Sequence, residues 1–399
     1  MSDLVEHLVS LRAGGKVLEG WNSYEIDIDM LQPADDFSVT LGPVEPVDES
    51  DFAEAWAAVA PDTEIEVYVD GIRVLSGFVD DRRASSDPDA GDTMTVNGRD
   101  RGGRLVDESC PLMSFRGLEI EALAQKTVTP WFESVSLSNV ENRALILGVK
   151  KGARAGKVQH EGAAGVKHRK KKHPNIYRKV QAGETRWAVL EYYLRELELL
   201  GWAAADGKSF VIGEPNYDQE PTFSFFHPRA GSRRSQESNV NSFEVVDSVG
   251  ERYSQIVAVG AHVGNAVNYG EKTVKRRGVA TDGPGAFGIG KSFQHRKVLL
   301  LPDDGIRDDA QATIRAEREM AERDAAGHTV RLVVDGHGQL AARARRSTLF
   351  AFDTIAHVES EVFGIRGSYY ITKVVFRGDA DNGPTTEISL VPKGTVLKV

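Results

Sequence analysis

"TMTVNGRDRGGRLVDES", running from Thr93 to Ser109, decides how the chain is read. It begins as a strand, with Thr93, Thr95 and Asn97 alternating with Met94 and Val96 at the period of a half-buried β-strand. Arg99, Asp100 and Arg101 then crowd together ahead of Gly102-Gly103 and the apolar pair Leu105-Val106. Opposite charges followed by a double glycine suit either a catalytic cleft or a corner where one folded region hands over to the next. In the corner reading Asp100 and Arg101 pair or hydrogen-bond, the glycines make the turn, Leu105 anchors the exit and Asp107 closes the motif.

Upstream of this stretch, residues 1–108 read as mostly β. "SYEIDIDM", "DFSVTLG" and "TEIEVYVDGIRVLSGFVDDRR" are short alternating runs broken by Gly, Pro and Asp, and Asp70-Gly71 marks a hairpin. Downstream, residues 109–240 read as mixed α/β. Ile120, Leu123, Ala124 and Val128 share a helical face, and Pro130 stops that helix. Trp187, Leu190, Leu194 and Leu197 make a second helical stripe, with Gly201 as its C-terminal cap and a hairpin over 201–215. From Asn241 to Val399 β returns, interrupted by a charged helix over 308–326. The expected fold class is α+β, mostly β: two barrel or sandwich domains, 1–108 and 241–399, flanking a mixed middle domain, 109–240. Two β regions of comparable size hint at an old duplication, although no residue-level repeat is evident.

The chain has 399 residues and a formal net charge of -10. Residues 145–179 hold eleven Lys or Arg and one acid, leaving 38 basic and 58 acidic residues elsewhere. The body is therefore strongly acidic, and an acidic body repels nucleic acid. The basic loop 149–174 has almost no large apolar side chains and reads as a solvated insertion. Its Arg169, Lys170, Lys171 and Lys172 are candidates for docking an acidic partner, and no interleaved aromatics support base stacking. No run of 18 apolar residues is present, so no membrane anchor is expected, and the N-terminus lacks the pattern of a secretory signal.

Catalytic signals are weak. "GAFGIGKS", Gly285 to Ser292, fits the phosphate-loop pattern G-x-x-x-x-G-K-[ST]. That motif needs a buried strand before it and a helix after it. Here "RRGVATDGP" precedes it without reading as a buried strand, and β-rich "FQHRKVLLLPDD" follows. A nucleotide-binding enzyme using this loop is the alternative of a different class. The only cysteine, Cys110, has no catalytic signature beside it and reads as a buried, inert thiol. His160, His168 and His173 lack metal-ligand spacing. No catalytic, metal or cofactor site is expected.

"VNGRDRGGRLVDESC" resembles the G-x-D-x-x-x-x-L-V-D corner of the baseplate hub proteins of contractile-tailed phages, the phage Mu type. Gly98, Asp100, Leu105, Val106 and Asp107 stand at the matching positions, with Gly102 where the family often has Ser. "VQAGETRWAVLEYYLREL" is similar to that family's P-G-E-T helix. "ERYS", Glu251 to Ser254, is similar to part of its S-x-R-Y-S strand pair. "RAEREMAERDAAGHTVRLVV" and "YYITKVVFRGDADNGPTTEISLVPKG" resemble its helix-to-strand passage and final hairpin. The basic loop and the Gly-rich loop at 281–292 depart from the pattern as insertions.

The resemblance implies a non-enzymatic structural protein without cofactors. It implies a homotrimeric ring that joins a hexameric tail tube to a trimeric central spike, contacts other baseplate proteins and lets DNA pass without specific binding. It also implies a place in the virion tail baseplate after assembly in the host cytoplasm. The hub of a phage-derived contractile injection system is the nearest alternative.

Overall fold

The alternation at Thr93–Asn97 lies in a ten-residue strand whose side chains alternate between buried and half-exposed. The structure, a computed structural model, describes residues 8–42, 49–87, 91–113, 115, 118–139, 146–147, 179–197, 199–250, 252–260, 276–282, 297–303, 306, 309–340, 347–379 and 383–396. The N-terminal region forms β1 (Val9–Ala13), β2 (Lys16–Leu18), β3 (Ser23–Asp29), β4 (Asp36–Leu41), α1 (Glu49–Ala58), β5 (Glu64–Val69), β6 (Ile72–Asp87) and β7 (Gly91–Asp100). The β5–β6 turn falls on Asp70-Gly71, both at positive φ (51° and 76°), as a two-residue hairpin with a primed turn requires.

The next stretch holds α2 (Gly102–Asp107), β8 (Leu118–Glu119), α3 (Ile120–Val128), β9 (Ser134–Ser138), β10 (Ile146–Leu147), α4 (Arg186–Leu197), β11 (Leu200–Ala203), β12 (Ser209–Gly213) and β13 (Phe223–His227). The remainder holds β14 (Ser242–Asp247), β15 (Gln255–Gly260), β16 (Arg276–Thr281), β17 (Val298–Asp303), α5 (Asp309–Gly327) and β18 (His328–Asp335). It ends with β19 (Gly338–Leu340), β20 (Ser347–Leu349), β21 (Thr354–Ser360), β22 (Ile365–Asp379) and β23 (Gly383–Pro392).

The architecture is α+β and mostly β, as the alternation implied, but its sheets are not closed into barrels. The two β regions share one 13-stranded sheet in the order β14-β18-β23-β22-β3-β4-β7-β6-β5-β1-β2, with β21 also on β22 and β13 on β21. The join is β3 on β22, about 350 residues apart in sequence, and local periodicity carries no signal of it. One core runs through both regions, from Leu11, Ile26, Phe37 and Val67 to Leu332, Val374, Phe376 and Ile388. A second core, built on Leu105, Phe115, Leu123, Leu190, Tyr193 and Phe210, lies between α2, α3, α4 and the β11-β12-β9 sheet. A third, small core packs α5 through Ala312, Ala316 and Met320 onto Ile256 and Ala258 of β15 and Ala280 of β16.

The sheet register exposes a repeat that the bare sequence conceals. Both long hairpins carry a bulge, between Val79 and Asp81 in β6 and between Ile371 and Lys373 in β22. Aligned on those bulges, Asp87–Gly91 falls on Asp379–Gly383, and both read Asp-x-Asp-x-Gly. Following the ladders outward, Arg82 pairs Val96, Val96 pairs Val39 and Val39 pairs Tyr24. In the other half Val374 pairs Ile388, Ile388 pairs Leu332 and Leu332 pairs Phe243. Tyr24 thus stands at the position of Phe243, and "NSYEI" (22–26) at the position of "NSFEV" (241–245). The chain does contain a residue-level repeat: β3-β4-β7-β6-β5 in one half matches β14-β18-β23-β22-β21 in the other.

Three local expectations change. Residues 49–58, inside the stretch read as β, form α1; four alanines in ten residues outweigh the surrounding β pattern. Gly201 does not cap α4, which ends at Leu197. It lies in β11, where a Cβ would come within 2.8 Å of Leu194 and 2.9 Å of Phe210. Gly102-Gly103 open the short helix α2 rather than a turn, and a Cβ on Gly102 would stand 2.3 Å from the Pro33 carbonyl oxygen. The glycine is required there by close backbone approach, not by a left-handed φ.

Candidate functional site

At the end of β7 the charges do not pair as the sequence suggested. Asp100 and Arg101 lie in different environments, and Arg99, between Asp80 on β6 and Asp107 on α2, ties the corner together. Its Nε donates to Asp80 Oδ2 at 2.6 Å and its Nη2 to Asp107 Oδ2 at 2.7 Å. Arg101 reaches Glu64 and donates to the Trp131 carbonyl at 3.2 Å, while Arg104 pairs with Asp62. Both guanidiniums lie over the Phe78 ring, at 5.3 and 4.3 Å. Leu105 is fully buried and enters the core of the middle region.

Asp100 is buried at 5 % exposure, with its backbone N–H donating to the Asp35 carbonyl at 2.9 Å. Burial pushes its carboxyl up to about 7, opposed by hydrogen bonds from the backbone N–H groups of Asp35, Gly102 and Gly103. Burial also raises Asp35, and the adjoining Asp100 charge raises it further. These are the marks of a packed structural joint, where a carboxylate holds three backbone donors without facing a cleft.

The exit from the corner joins two of the stretches that carried the family resemblance. Ser109 bridges Thr185, and the Cys110 N–H donates to the Glu184 carbonyl at 2.7 Å, so "DESC" runs against "AGET". Arg186, 5 % exposed, donates to the Thr127 and Thr129 carbonyls at 2.7 Å and pairs with Glu108 at 2.9 Å. Cys110 is buried, and burial pushes its thiol up, which disfavours the nucleophilic thiolate. In "ERYS", Arg252 pairs with Asp324 of α5 at 3.0 Å, and the Ser254 hydroxyl donates to the Lys297 carbonyl at 2.9 Å.

The seam between the halves is charged on one face and apolar on the other. Lys373 pairs with Asp27 at 2.5 Å and Asp29 at 3.8 Å, and Arg377 pairs with Glu25 at 2.9 Å and also with Glu387. On the opposite face Val374 and Phe376, both essentially buried, lie directly across from Ile28 and Ile26. Sequence reading named Arg99 only as part of the charge knot and passed over Asp80, Arg186, Lys373 and Arg377. For the strand residues the signal was confined to alternation, which fixes a face and not a partner, and Arg186 opens the helix α4, where the apolar stripe says nothing of it.

Arg169, Lys170, Lys171 and Lys172 lie outside the described residues, as does the Gly285–Ser292 loop. The segment before that loop, against expectation, does form a strand, β16, with Gly278 and Ala280 turned inward. The next described element after the loop is the strand β17, not the helix that a phosphate loop requires. Among the described residues no group of three or more His, Cys, Asp or Glu side chains is placed to hold a metal. No helix among them is long and apolar enough to cross a membrane. A cavity of about 560 Å³ lies between α4, α5 and the end of β23, but its Arg315, Arg318, Glu319 and Glu322 are already ion-paired with one another.

Residues 8–100 match the family model described as Mu phage baseplate assembly protein GpP-like, N-terminal. Over nearly the whole chain the fold is that of phage tail proteins. It is similar to the tail protein from Neisseria meningitidis MC58, with a TM-score of 0.74, 21% identity and 98% of each chain covered. It is also similar to the 43 kDa tail protein of prophage MuSo2 from Shewanella oneidensis, with a TM-score of 0.71 and 18% identity over 98% of this chain and 99% of that one. A chain of the Francisella PdpA-VgrG complex shares the fold more distantly, with a TM-score of 0.54 and 8% identity over 99% of this chain and 54% of that one. No curated protein sequence matches. Residues 8–100 thus match the Mu-phage GpP-like baseplate model, and nearly the whole length shares the fold of these tail proteins.

Proposed function

We propose that this chain is the hub of a contractile-tail baseplate: a homotrimeric ring joining the hexameric tail tube to the trimeric central spike. The observation that carries the reading is the duplicated sheet. Each chain supplies two equivalent β sectors, 1–108 and 241–399, so three chains offer six, which suits a sixfold tube on one side while keeping true threefold symmetry for a spike on the other. The middle region 109–240, hung from the Asp100–Asp107 corner, stands outside that repeat. The acidic body repels DNA and lets it pass without sticking. The role is structural, without catalysis or cofactor, in a virion baseplate assembled in the host cytoplasm, where Arg169–Lys172 contact an acidic neighbouring baseplate protein.

Light-scattering mass measurement tests this, on the purified chain alone and mixed with its candidate spike protein. Three copies per particle, and co-elution with three copies of spike, are the expected result. A monomer that stays monomeric with spike present would overturn it. A second reading, the hub of a phage-derived contractile injection system, is favoured by the shared fold with a chain of the VgrG complex. The neighbouring genes decide between the two.

A further inference from the structure

The repeat contains an internal template for an intermolecular joint. In the second half, the part of β22 beyond its bulge, Lys373–Asp379, is covered by β3 along its outer edge. The matching part of β6, Asp81–Asp87, pairs only with β7 among the described strands, because the β5 ladder ends where Glu64 lies opposite Phe78. Conversely β14, the counterpart of β3, pairs only with β18 among the described strands, which leave its other edge open. Both strand edges needed for a second β3–β22 joint are therefore present, one in each half of the sheet.

We propose that the outer half of β6 in one copy pairs antiparallel with β14 of a second copy, in the register of the β3–β22 seam. This rests on the ring reading above and names the surfaces that make the ring. Transferring the seam's register puts Arg82 opposite Asp247, Ala84 opposite Val245, Ser85 opposite Glu244 and Asp87 opposite Ser242. The charges agree with the transfer. In the seam Lys373 bonds diagonally to Asp27, the partner of the residue two positions further along. The same diagonal takes Arg83 to Glu244. Both are exposed, and among the described residues Glu244 is held only by Arg331, at 3.8 Å. The contact is head-to-tail, joining two different surfaces, and such contacts close rings when the rotation permits. If the second joint repeats the geometry of the first, every sector meets the next in the same way around the ring. Polar residues on an open edge also serve to prevent sheet-to-sheet association, and the test separates that role from pairing.

Ser85→Cys and Glu244→Cys in one chain, with Cys110→Ala, place two thiols opposite each other only across this joint, at a Cβ separation of about 4.5–5.5 Å. Mild oxidation is expected to give covalent multimers up to trimers on a non-reducing gel, with neither single variant doing so. Trimers by light scattering that yield no cross-link, with Asp87→Cys/Ser242→Cys also silent, would overturn the joint and leave the ring reading standing. Cross-links within open filaments would keep the joint and overturn the closed ring, and monomers without cross-links would overturn both. Arg83→Glu is expected to reduce the trimer fraction and Glu244→Arg in the same chain to restore it. Loss without restoration would count against the diagonal pairing.

Discussion

The two halves of the sheet follow one plan, and they differ most at a single equivalent stretch. Beyond the bulge in β22 the chain reads Lys373-Val374-Val375-Phe376-Arg377, with its apolar side chains buried against β3 and its charges paired. Beyond the bulge in β6 it reads Asp81-Arg82-Arg83-Ala84-Ser85 and is largely exposed. Phe376 stands where the other half has Ala84. The bulge and ladder register are the same in both, so the difference reports what covers each strand edge: β3 of the same chain at one place and, apart from Arg82 lying on Trp56 of α1, solvent or a separable neighbour at the other. A joint that never opens carries a packed phenylalanine, whereas one that must stay soluble before assembly carries small and charged residues.

The comparison breaks first at Phe376. Phe376→Ala is expected to cost about 3–5 kcal/mol by the cavity it leaves, while Ala84→Ser at the equivalent place should fall within about 0.5 kcal/mol. Denaturant unfolding of the two variants measures the gap, and similar losses would show that the halves are packed alike. Next is Arg186→Met, which leaves two carbonyls and Glu108 without their donor. A loss of about 2–4 kcal/mol is expected by the same measurement, and a neutral result would remove the guanidinium from the support of the corner.

Asp100 comes third. Asp100→Ala strands three backbone N–H groups and is expected to cost about 1–3 kcal/mol near pH 5. Its carboxyl, normally near 3.8, is raised to about 7 in the fold, so the folded chain holds the proton that the unfolded chain releases. The stability it supports is full below about pH 4 and declines as pH rises towards 7. Asp100→Asn should flatten that decline, and an unchanged pH profile of the melting temperature would contradict the assignment. Smallest is Arg377→Gln, which loses half-exposed pairs with Glu25 and Glu387. It should change stability by less than about 1 kcal/mol. A larger loss would mean that charge, not the apolar face, holds the seam.

Much of this was legible in the residues. The Asp70-Gly71 hairpin, the helices at 120–128 and 186–197 and the alternating strands announce themselves through local period and turn chemistry. The corner was visible as a place but not as a set of bonds. Asp100, Leu105 and Asp107 all contribute, yet the residue that bridges the elements is Arg99, whose partner Asp80 lies nineteen positions away. The β3–β22 join was not legible, because pairing across some 350 residues leaves no local trace. The repeat was written in the sequence as "NSYEI" and "NSFEV", but five residues in 399 gain meaning only when the ladder register places them at equivalent positions.

Imaging of the purified chain by cryo-electron microscopy tests the hub reading most directly. Threefold rings whose inner wall shows six near-equivalent β sectors around an open channel are the expected result. Particles that remain monomeric at high concentration, or rings whose sectors do not repeat twice per chain, would contradict it.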